Sequence, residues 1–149
     1  MIYIGSDHAG FEYKQEIKEY LLHQGNKVED LGAHSNKPSH YPQYAKAVAE
    51  KVSAHKGSLG ILFCRSGQGM AMAANRVKGA RASIAWNEQV AAGARNHNDS
   101  NILSIPADYV TIEEAKKIIS VFISTSASKE ARHVQRIAML DQWKLFQPF

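Results

Sequence analysis

Short apolar stretches alternate along the chain with longer stretches that carry apolar residues on one helical face. Five of the short stretches have the length and composition of buried strands. They are Ile2–Gly5, Lys27–Leu31, Leu59–Phe63, Arg81–Ala85 and Asn101–Ile105. Strands of a parallel sheet are covered on both faces and therefore appear as apolar runs, so this pattern predicts a parallel sheet.

The longer stretches predict helices because their apolar residues recur every three or four positions. The successive stripes are Tyr13, Ile17, Tyr20 and Leu21; Tyr44, Ala45, Val48, Ala49 and Val52; Met70, Ala73, Ala74 and Val77; Trp86, Val90 and Ala94; and Ala115, Ile118, Ile119 and Phe122. Gly25 is suited to end the first helix, and Thr111–Glu114 forms a capping box that starts the fifth.

Alternating strands and helices predict an α/β domain of three layers. We expect a doubly wound, Rossmann-like fold with a five-stranded parallel sheet between helices. A sixth, C-terminal helix is predicted from about Ser128 to Phe146. Its apolar residues, which we expect to pack inward, are Val134, Ile137, Ala138 and Leu145. The 149 residues contain no repeat or linker, so residues 1–149 are predicted to form a single domain.

The composition is that of a globular protein and argues against several functional classes. Apolar residues make up 44% of the chain, and no run approaches the ~18 apolar residues that a membrane helix needs. The net charge of +4 comes from dispersed basic residues, so no nucleic-acid partner is predicted. The seven histidines lack metal-ligand spacing, so no metal site is predicted. A single cysteine and a start without a secretion signal indicate the cytoplasm.

Candidate chemistry lies where this fold class binds ligands, beyond the carboxyl ends of the strands. Three polar clusters are expected to meet there. They are Ser6-Asp7-His8-Ala9-Gly10, Cys64-Arg65-Ser66-Gly67-Gln68-Gly69 and His97-Asn98-Asp99-Ser100-Asn101. Cys64 lies between a strand and a helix N-terminus, where unpaired N–H groups and the helix dipole favour a thiolate. We therefore expect the pKa of Cys64 to be lowered.

Each of these side chains also has a purely structural interpretation. Cys64 can be a buried core cysteine, as most lone cysteines are. Asp7 can cap the first helix, and Asn98 can end the fourth in the left-handed conformation. His8 can be an exposed turn residue, and His97 can interact with the dipole at the end of its helix.

The glycine loop and a pair of arginines have alternatives of their own. Gly67 and Gly69 can simply permit a tight turn, or can begin a dinucleotide-binding fingerprint. Met72 occupies the third glycine position of that fingerprint, so a nucleotide site is only weakly indicated. Arg132 and Arg136 share one helix face and are either solvated or suited to bind a phosphate.

An ordered set of motifs over nearly the whole chain resembles the ribose-5-phosphate isomerase B family, which also includes the galactose-6-phosphate isomerase subunits. The motifs are Gly5-Ser6-Asp7-His8-Ala9-Gly10, Tyr41-Pro42, Cys64-x-Ser66-Gly67-x-Gly69, Ala74-Asn75, His97-Asn98-Asp99-x-Asn101 and Arg132-His133-x-x-Arg136. The resemblance implies interconversion of ribose 5-phosphate and ribulose 5-phosphate through a cis-enediolate, without a metal or a cofactor. It also implies a homodimer or a dimer of dimers, whose active sites combine residues of two subunits.

The resemblance further implies roles for individual residues. Cys64 would be the base that moves a proton between C1 and C2, and His97 would open the sugar ring. Ser66 would relay or orient a proton. The backbone N–H groups that would stabilise the enediolate belong to Gly67, Gln68, Gly69 and Met70. The residues that would contact the rest of the substrate are Asp7 and Tyr41 near the sugar hydroxyls, Asn98 at a sugar oxygen, and His8, Arg132 and Arg136 at the phosphate.

Three positions depart from the family pattern. Arg65 stands where the family usually has Gly, His40 where it has Asp, and Asp108 where many relatives have an Arg that helps to bind phosphate. We hypothesise that Arg65 replaces the positive charge lost at Asp108. Two alternatives therefore stay open: isomerisation of a six-carbon sugar phosphate (galactose 6-phosphate or allose 6-phosphate), and a non-catalytic module that binds a sugar phosphate or a nucleotide. Binding alone would need neither a base nor a ring-opening acid.

Overall fold

The structure is a computed structural model that describes residues 1–142. Its strands are β1 (Ile2–Ser6), β2 (Val28–Asp30), β3 (Leu59–Cys64), β4 (Ala82–Ile84) and β5 (Ile102–Pro106). They form one sheet in the order β2-β1-β3-β5-β4, and every neighbouring pair is parallel. The three central strands β1, β3 and β5 are buried almost throughout, which explains why they appear in the sequence as apolar runs.

Helices cover both faces of the sheet. They are α1 (Phe11–His23), α2 (Tyr41–Ala54), α3 (Gln68–Ala74), α4 (Glu88–Asn98), α5 (Ile112–Ser124) and α6 (Ala131–Asp141). One core lies between the sheet and α1, α4 and α5, and contains Ile4; the other lies between the sheet and α2 and α3, and contains Tyr3. Successive strand residues thus face opposite cores. The three-layer, doubly wound α/β prediction is confirmed.

The predicted strands agree with the observed ones within about one residue at each end, whereas two helical stripes extend too far. Val77 lies beyond the end of α3, and Trp86 precedes α4 and is 59% exposed. The reason at α4 is a cap: the Asn87 side chain accepts a hydrogen bond from the N–H of Val90 at 2.8 Å and starts the helix there. The spacing of apolar residues does not reveal a helix start that is set by a capping side chain.

The last helix differs most from its prediction. It begins at Ala131 rather than at Ser128, and it rests against α4. The predicted end at Phe146 and the predicted inward packing of Leu145 lie outside the described residues.

The apolar face of α6 is largely uncovered in the single chain. Val134 and Ala138 are exposed and Ile137 is half-buried, so the expected inward packing is wrong for the first two. Met139 and Leu140 are also exposed. Among the described residues, α6 rests mainly against the helix α4, and one helix cannot cover so broad an apolar stripe.

A charged side chain of α1 lies in the interior, which its apolar stripe does not predict. Lys14 has no exposed surface, and its ammonium donates to the Asp30 carboxylate and to the carbonyl oxygen of Ala33. The same carboxylate accepts the N–H of Gly32 at 3.0 Å. Burial alone would raise the pKa of Asp30, but the Lys14 ammonium and the Gly32 N–H outweigh it and lower that pKa. The pair fixes the connection that follows β2.

Candidate active site

Cys64 lies at the carboxyl end of β3, beside a turn that leads into α3. Its side chain is buried, and the N–H of Gly67 donates to its sulfur at 3.1 Å. Gly67 adopts a left-handed φ of 74°, and a Cβ there would lie 3.3 Å from the nitrogen of Pro106. The Ser104 hydroxyl donates to the Gly67 carbonyl at 2.6 Å and ties the turn to β5. The turn therefore requires glycine and is fixed in place.

Most amides of this turn have partners in the protein. The N–H of Gly67 donates to the sulfur of Cys64, the N–H of Met70 acts on the same sulfur to lower its pKa, and the N–H of Gln68 points to the Ser66 hydroxyl at 3.4 Å. Among residues 1–142, the N–H of Gly69 has no such partner. The Gly67 N–H therefore serves the thiol in this state, and the expectation that this turn stabilises a substrate oxygen stays a prediction for the other amides.

The thiol is a weaker acid than the sequence suggests. Burial raises the pKa of Cys64, and the negative charge of Asp7 adds to the rise. The N–H donors of Met70 and Gly67 act in the opposite direction without outweighing burial. The expected lowering is therefore wrong for this chain: α3 has only seven residues, and removing a thiolate from water costs more than its amides return.

The loop after β1 lies next to the thiol. Asp7 is mostly buried, and its carboxylate accepts the N–H of Gly10 at 2.9 Å, so it holds the start of α1 as the structural interpretation predicts. Its charge also acts on Cys64. A Cβ at Gly10 would lie 2.6 Å from the carbonyl oxygen of Phe63, so glycine allows α1 to begin directly against β3. Asp7 thus has a structural role and a place beside the candidate base.

The segment 32–40 and the start of α2 bring further residues to this edge. His8 exchanges two hydrogen bonds with Ser39, at the end of that segment. Tyr41, the first residue of α2, places its ring against Gly69, where a Cβ would lie 2.8 Å from the Tyr41 Cζ atom. We call the assembled group the thiol cluster: Asp7, His8, Tyr41, Cys64, Ser66, Gly67, Gln68, Gly69 and Met70.

His97 and Asn98 lie at the opposite edge of the sheet. Both are exposed, in the last turn of α4, just before the chain enters β5 at its amino end. Cys64 pairs with Pro106 at the other end of β5. The five residue steps from Asn101 to Pro106, at ~3.3 Å per residue, separate the two ends by about 16 Å. A helix between parallel strands returns the chain to the amino edge. The expectation that all three polar clusters meet is therefore wrong for a single chain.

The first turns of α6 join His97 at the amino edge. His133 is buried, with its ring centroid 5.0 Å from that of His97, and its Nδ1 has no hydrogen-bond partner within residues 1–142. Arg132 and Arg136 are exposed, and the Arg132 Nε donates to Glu130 at 2.8 Å. We call this second group the histidine–arginine cluster: His97, Asn98, Arg132, His133 and Arg136.

Ion pairs fix the end of α4 beside this cluster. Asp99, not Asn98, is the left-handed C-cap, with a φ of 44°. Its carboxylate accepts hydrogen bonds from Arg95 at 2.7 Å and from Arg81 at 3.1 Å. Arg81 also binds Asp141 of α6 at 2.9 Å, and a cleft of about 1050 Å³ opens beside these groups. The network ties α4, β4 and α6 together.

Two of the three departures from the family pattern pair with each other. The Arg65 guanidinium lies 3.8 Å from the Asp108 carboxylate, and both side chains are largely exposed. The N–H of Asp108 also donates to the Arg65 carbonyl at 2.9 Å. The third departure, His40, is exposed directly before α2. The charge of Arg65 is therefore partly offset at the rim of the thiol cluster.

Within residues 1–142, no three His, Cys, Asp or Glu side chains are arranged to hold a metal ion. In the same range, no helix combines the length and the apolarity needed to cross a bilayer. The acid–base groups of the thiol cluster include the thiol of Cys64, the carboxylate of Asp7 and the imidazole of His8.

Three residues beside the candidate site were not assigned from the sequence. Ser104 anchors the Gly67 turn, Ser39 pairs with His8, and His133 stacks on His97. His133 lies within the motif Arg132-His133-x-x-Arg136, and its position next to Arg132 is the signal that could have identified it as a site residue. A single serine in a strand or a loop has no periodicity, so Ser39 and Ser104 carry no comparable signal.

Known proteins resemble this chain across both clusters. The sequence pattern of the ribose/galactose isomerase family matches residues 2–140. Ribose-5-phosphate isomerase B of Mycobacterium tuberculosis is 41% identical over 144 residues, which cover 96% of this chain and 89% of that protein. A ribose 5-phosphate isomerase of Thermotoga maritima superposes with a TM-score of 0.91 at 42% identity, over 95% of this chain and 97% of that one. Ribose-5-phosphate isomerase B of Mycoplasma genitalium, solved with bound ribulose-5-phosphate, gives 0.89 at 38%, over 95% and 93%.

Proposed function

The chain belongs to the ribose/galactose isomerase family, and from this we propose that it interconverts ribose 5-phosphate and ribulose 5-phosphate. The observation that carries the proposal is the thiol cluster at the ligand-binding edge of the sheet, where the Asp7 carboxylate acts on the Cys64 thiol and the same loop carries the His8 imidazole. The relative solved with ribulose-5-phosphate matches 95% of this chain, which supports the same substrate here.

Cys64 acts as the base of the proposed isomerisation. Its thiolate takes the proton from C2 of open-chain ribose 5-phosphate and returns it to C1, while the O2 hydroxyl proton moves to O1 with the help of Ser66. The N–H groups of Gly67 and Met70 hold the thiolate, and the N–H of Gly69 is left to donate to the cis-enediolate oxygen. A catalytic thiol must stay reduced, so we place the enzyme in the cytoplasm.

His97 opens the sugar ring before isomerisation. Ribose 5-phosphate is mainly a furanose, so its C1 aldehyde is released when an acid protonates the ring oxygen and the C1 hydroxyl loses its proton. Asp7 and Tyr41 of the thiol cluster and Asn98 beside His97 contact the sugar oxygens. His8, Arg132 and Arg136 hold the phosphate, for which arginine pairs are well suited.

Two copies of the chain build each complete site in this proposal. The thiol cluster and the histidine–arginine cluster lie on opposite edges of one sheet, too far apart to hold one pentose phosphate. A second copy brings its own amino edge to the carboxyl edge of the first, and a two-fold axis then creates two equal sites. The exposed apolar residues of α6, among them Val134 and Leu140, support such an interface.

A six-carbon sugar phosphate is the second candidate substrate. The observation that favours it is the pair of Arg65 and Asp108 at the rim of the thiol cluster, two positions that depart from the pattern implied by the resemblance. Comparing kcat/KM for ribose 5-phosphate, allose 6-phosphate and galactose 6-phosphate decides between them. A protein that binds these phosphates but turns none over would be the non-catalytic module.

Solvent-deuterium exchange tests the proposal and separates its two chemical steps. Ribulose 5-phosphate cannot close a furanose ring, because its O5 carries the phosphate. Exchange of its C1 hydrogen therefore needs the base but no ring opening. Wild-type enzyme in D2O is expected to exchange this hydrogen and to convert ribose 5-phosphate.

Two variants then identify the residues. Cys64→Ala is expected to lose both exchange and conversion, because it lacks the base. His97→Asn is expected to lose conversion of ribose 5-phosphate and to retain exchange into ribulose 5-phosphate. Exchange that survives in Cys64→Ala would remove the thiol from its role, and equal loss of both reactions in His97→Asn would remove His97 as the ring-opening acid.

A further inference from the structure

His8 and Ser39 form a reciprocal pair across 31 residues of sequence. The backbone N–H of His8 donates to the Ser39 hydroxyl at 3.1 Å. The backbone N–H of Ser39 donates to the ring Nδ1 atom of His8 at 3.2 Å. Both residues are half-buried. The pair therefore joins the loop after β1 to the segment that leads into α2.

The direction of the second bond determines the state of the imidazole. A backbone N–H can only donate, so the Nδ1 atom that receives it carries a lone pair and no proton. The ring proton of His8 then resides on Nε2, and the imidazole is neutral, because a cation carries protons on both nitrogens. Within residues 1–142 no hydrogen bond involves Nε2 of His8, so this donor is free for a ligand.

We propose that Ser39 is a positioning residue that holds His8 as the neutral Nε2–H tautomer, so that His8 offers the substrate phosphate a directed hydrogen bond rather than a positive charge. The inference rests on the proposed function, in which His8 contacts the phosphate. It also assigns the charge: Arg132 and Arg136 of the histidine–arginine cluster neutralise the phosphate, and His8 orients it.

The segment that leads to Ser39 is anchored at its start, near Gly32 and Ala33. This anchoring helps to keep the Ser39 N–H beside the His8 ring. The Gly32 carbonyl accepts the N–H of Ser6 at 2.7 Å, and the Ala33 N–H donates to the Ser6 carbonyl at 2.8 Å. The buried ammonium of Lys14 donates to the Ala33 carbonyl at 2.6 Å. The segment is thus held at its start by β1 and Lys14 and at its end by His8. Residues 34–38 between these two anchors are exposed.

The test begins with the wild-type protein labelled with ¹⁵N at histidine. We expect the His8 ring nitrogens to show the neutral Nε2–H tautomer at pH 7.5. Inorganic phosphate should perturb the Nε2–H signal while Nδ1 keeps its acceptor shift. A protonated Nδ1, in free or phosphate-bound protein, would overturn the inference.

Kinetics with two serine variants provide the second arm. Ser39→Ala removes the hydroxyl that accepts the His8 backbone N–H and keeps the Ser39 N–H that fixes the tautomer, so it loosens the position of His8. It is expected to raise KM for ribose 5-phosphate about two- to tenfold with little change in kcat. Ser35→Ala is the matched control, because Ser35 lies in the same segment and bonds only to its own loop, at Lys37. Equal KM values in the two variants, or a loss confined to kcat, would contradict the positioning role.

A conservative substitution separates donor geometry from charge. His8→Gln keeps a neutral N–H donor near the Nε2 position and should retain more phosphate affinity than His8→Ala, whereas equal loss in both would contradict a donor role. The NMR and phosphate titrations need no turnover. Failure of the isomerase proposal would therefore leave them readable, and failure of the tautomer prediction in an active enzyme would reject this inference alone.

Discussion

The N–H of Gly67 donates to the sulfur of Cys64 over 3.1 Å, yet the pKa of that thiol is raised. Burial, aided by the nearby charge of Asp7, outweighs the amides of Gly67 and Met70. The turn therefore makes a buried thiolate possible without making it the resting form at neutral pH.

Activity should consequently increase with pH into the alkaline range. The proposed base, Cys64, acts as a thiolate, and its raised pKa moves thiolate formation above the ~8.5 of an ordinary thiol. A pH profile of kcat/KM is expected to rise with an apparent pKa above that value, and iodoacetamide labelling of Cys64 in the free protein should follow the same curve. An acid limb that is complete by neutral pH would contradict this prediction.

Gly67→Ala should reduce turnover far more than it reduces stability. A left-handed alanine costs about 1–2 kcal/mol, and the added Cβ would press on Pro106, shifting the amides that face the thiol. The same shift moves the neighbouring N–H of Gly69, which is proposed to stabilise the enediolate oxygen, and loss of such a donor lowers kcat by about 10²–10³-fold. Gly25→Ala is the matched control, because Gly25 has a similar φ of 81° and nothing within 4 Å of an added Cβ. It should lose stability in urea and keep its kcat.

Mixed dimers should recover activity from two inactive parents. Cys64→Ala damages one cluster and His97→Ala the other, so a dimer with one copy of each contains one intact site when the clusters act across the interface. Refolding the two variants together in equal amounts should restore about a quarter of the wild-type sites. Refolding each variant alone provides the baseline. A mixture that stays at that baseline would place both residues in the site of one chain.

Lys14→Met should destabilise the fold by about 3–5 kcal/mol, because it leaves the mostly buried Asp30 carboxylate with only the partly exposed Lys18 ammonium as a cationic partner. Lys18→Met removes a partly exposed ammonium 3.4 Å from the same carboxylate and should cost at most about 1 kcal/mol. Urea unfolding measures both. Similar losses of unfolding free energy in the two variants would show that the buried pair contributes no more to stability than the exposed one.

The same pair predicts a pH dependence of stability. The pKa of Asp30 is lowered in the folded chain, so its contribution is complete above the ordinary carboxyl pKa and is lost as the pH falls through the lowered value. The stability difference between wild type and Lys14→Met should therefore shrink below about pH 4. A difference that stays constant through the acid range would exclude this linkage.

Asp108→Asn should strengthen substrate binding. Under the hypothesis that Arg65 contacts the substrate phosphate, Asp108 competes for its guanidinium, and an exposed pair of this kind is worth about 0–1 kcal/mol. KM should fall by up to about fivefold at low salt and less at high salt. Adding Arg65→Ala should abolish the gain. Unchanged KM in both variants would remove Arg65 from phosphate binding.

The sheet and its order of helices were predictable because burial on both faces leaves a strong local signal. The runs Ile2–Gly5 and Leu59–Phe63 are apolar throughout, and the observed β1 and β3 differ from them by one residue. The capping box at Thr111 was equally local and is present, with Glu114. Helix α4 shows the limit of periodicity, since the cap at Asn87 set its start.

The remaining features depend on contacts between distant parts of the chain. The pKa of Cys64 depends on how deeply β3 is covered, which motif position does not reveal. The burial of Lys14 depends on Asp30, which lies on another element. His97 was grouped with Cys64 because both follow regular elements, but the direction of the element decides the edge: β3 ends at the carboxyl edge and α4 at the amino edge.

Because the two clusters lie on opposite edges of the sheet, the activity is expected to depend on protein concentration. Under the proposed two-chain site, a subunit that has dissociated retains its fold and its thiol but holds only half of the machinery. Specific activity would then decline on dilution below the dimer dissociation constant, and a sugar phosphate bridging both copies would pull the equilibrium back toward the assembled, working form.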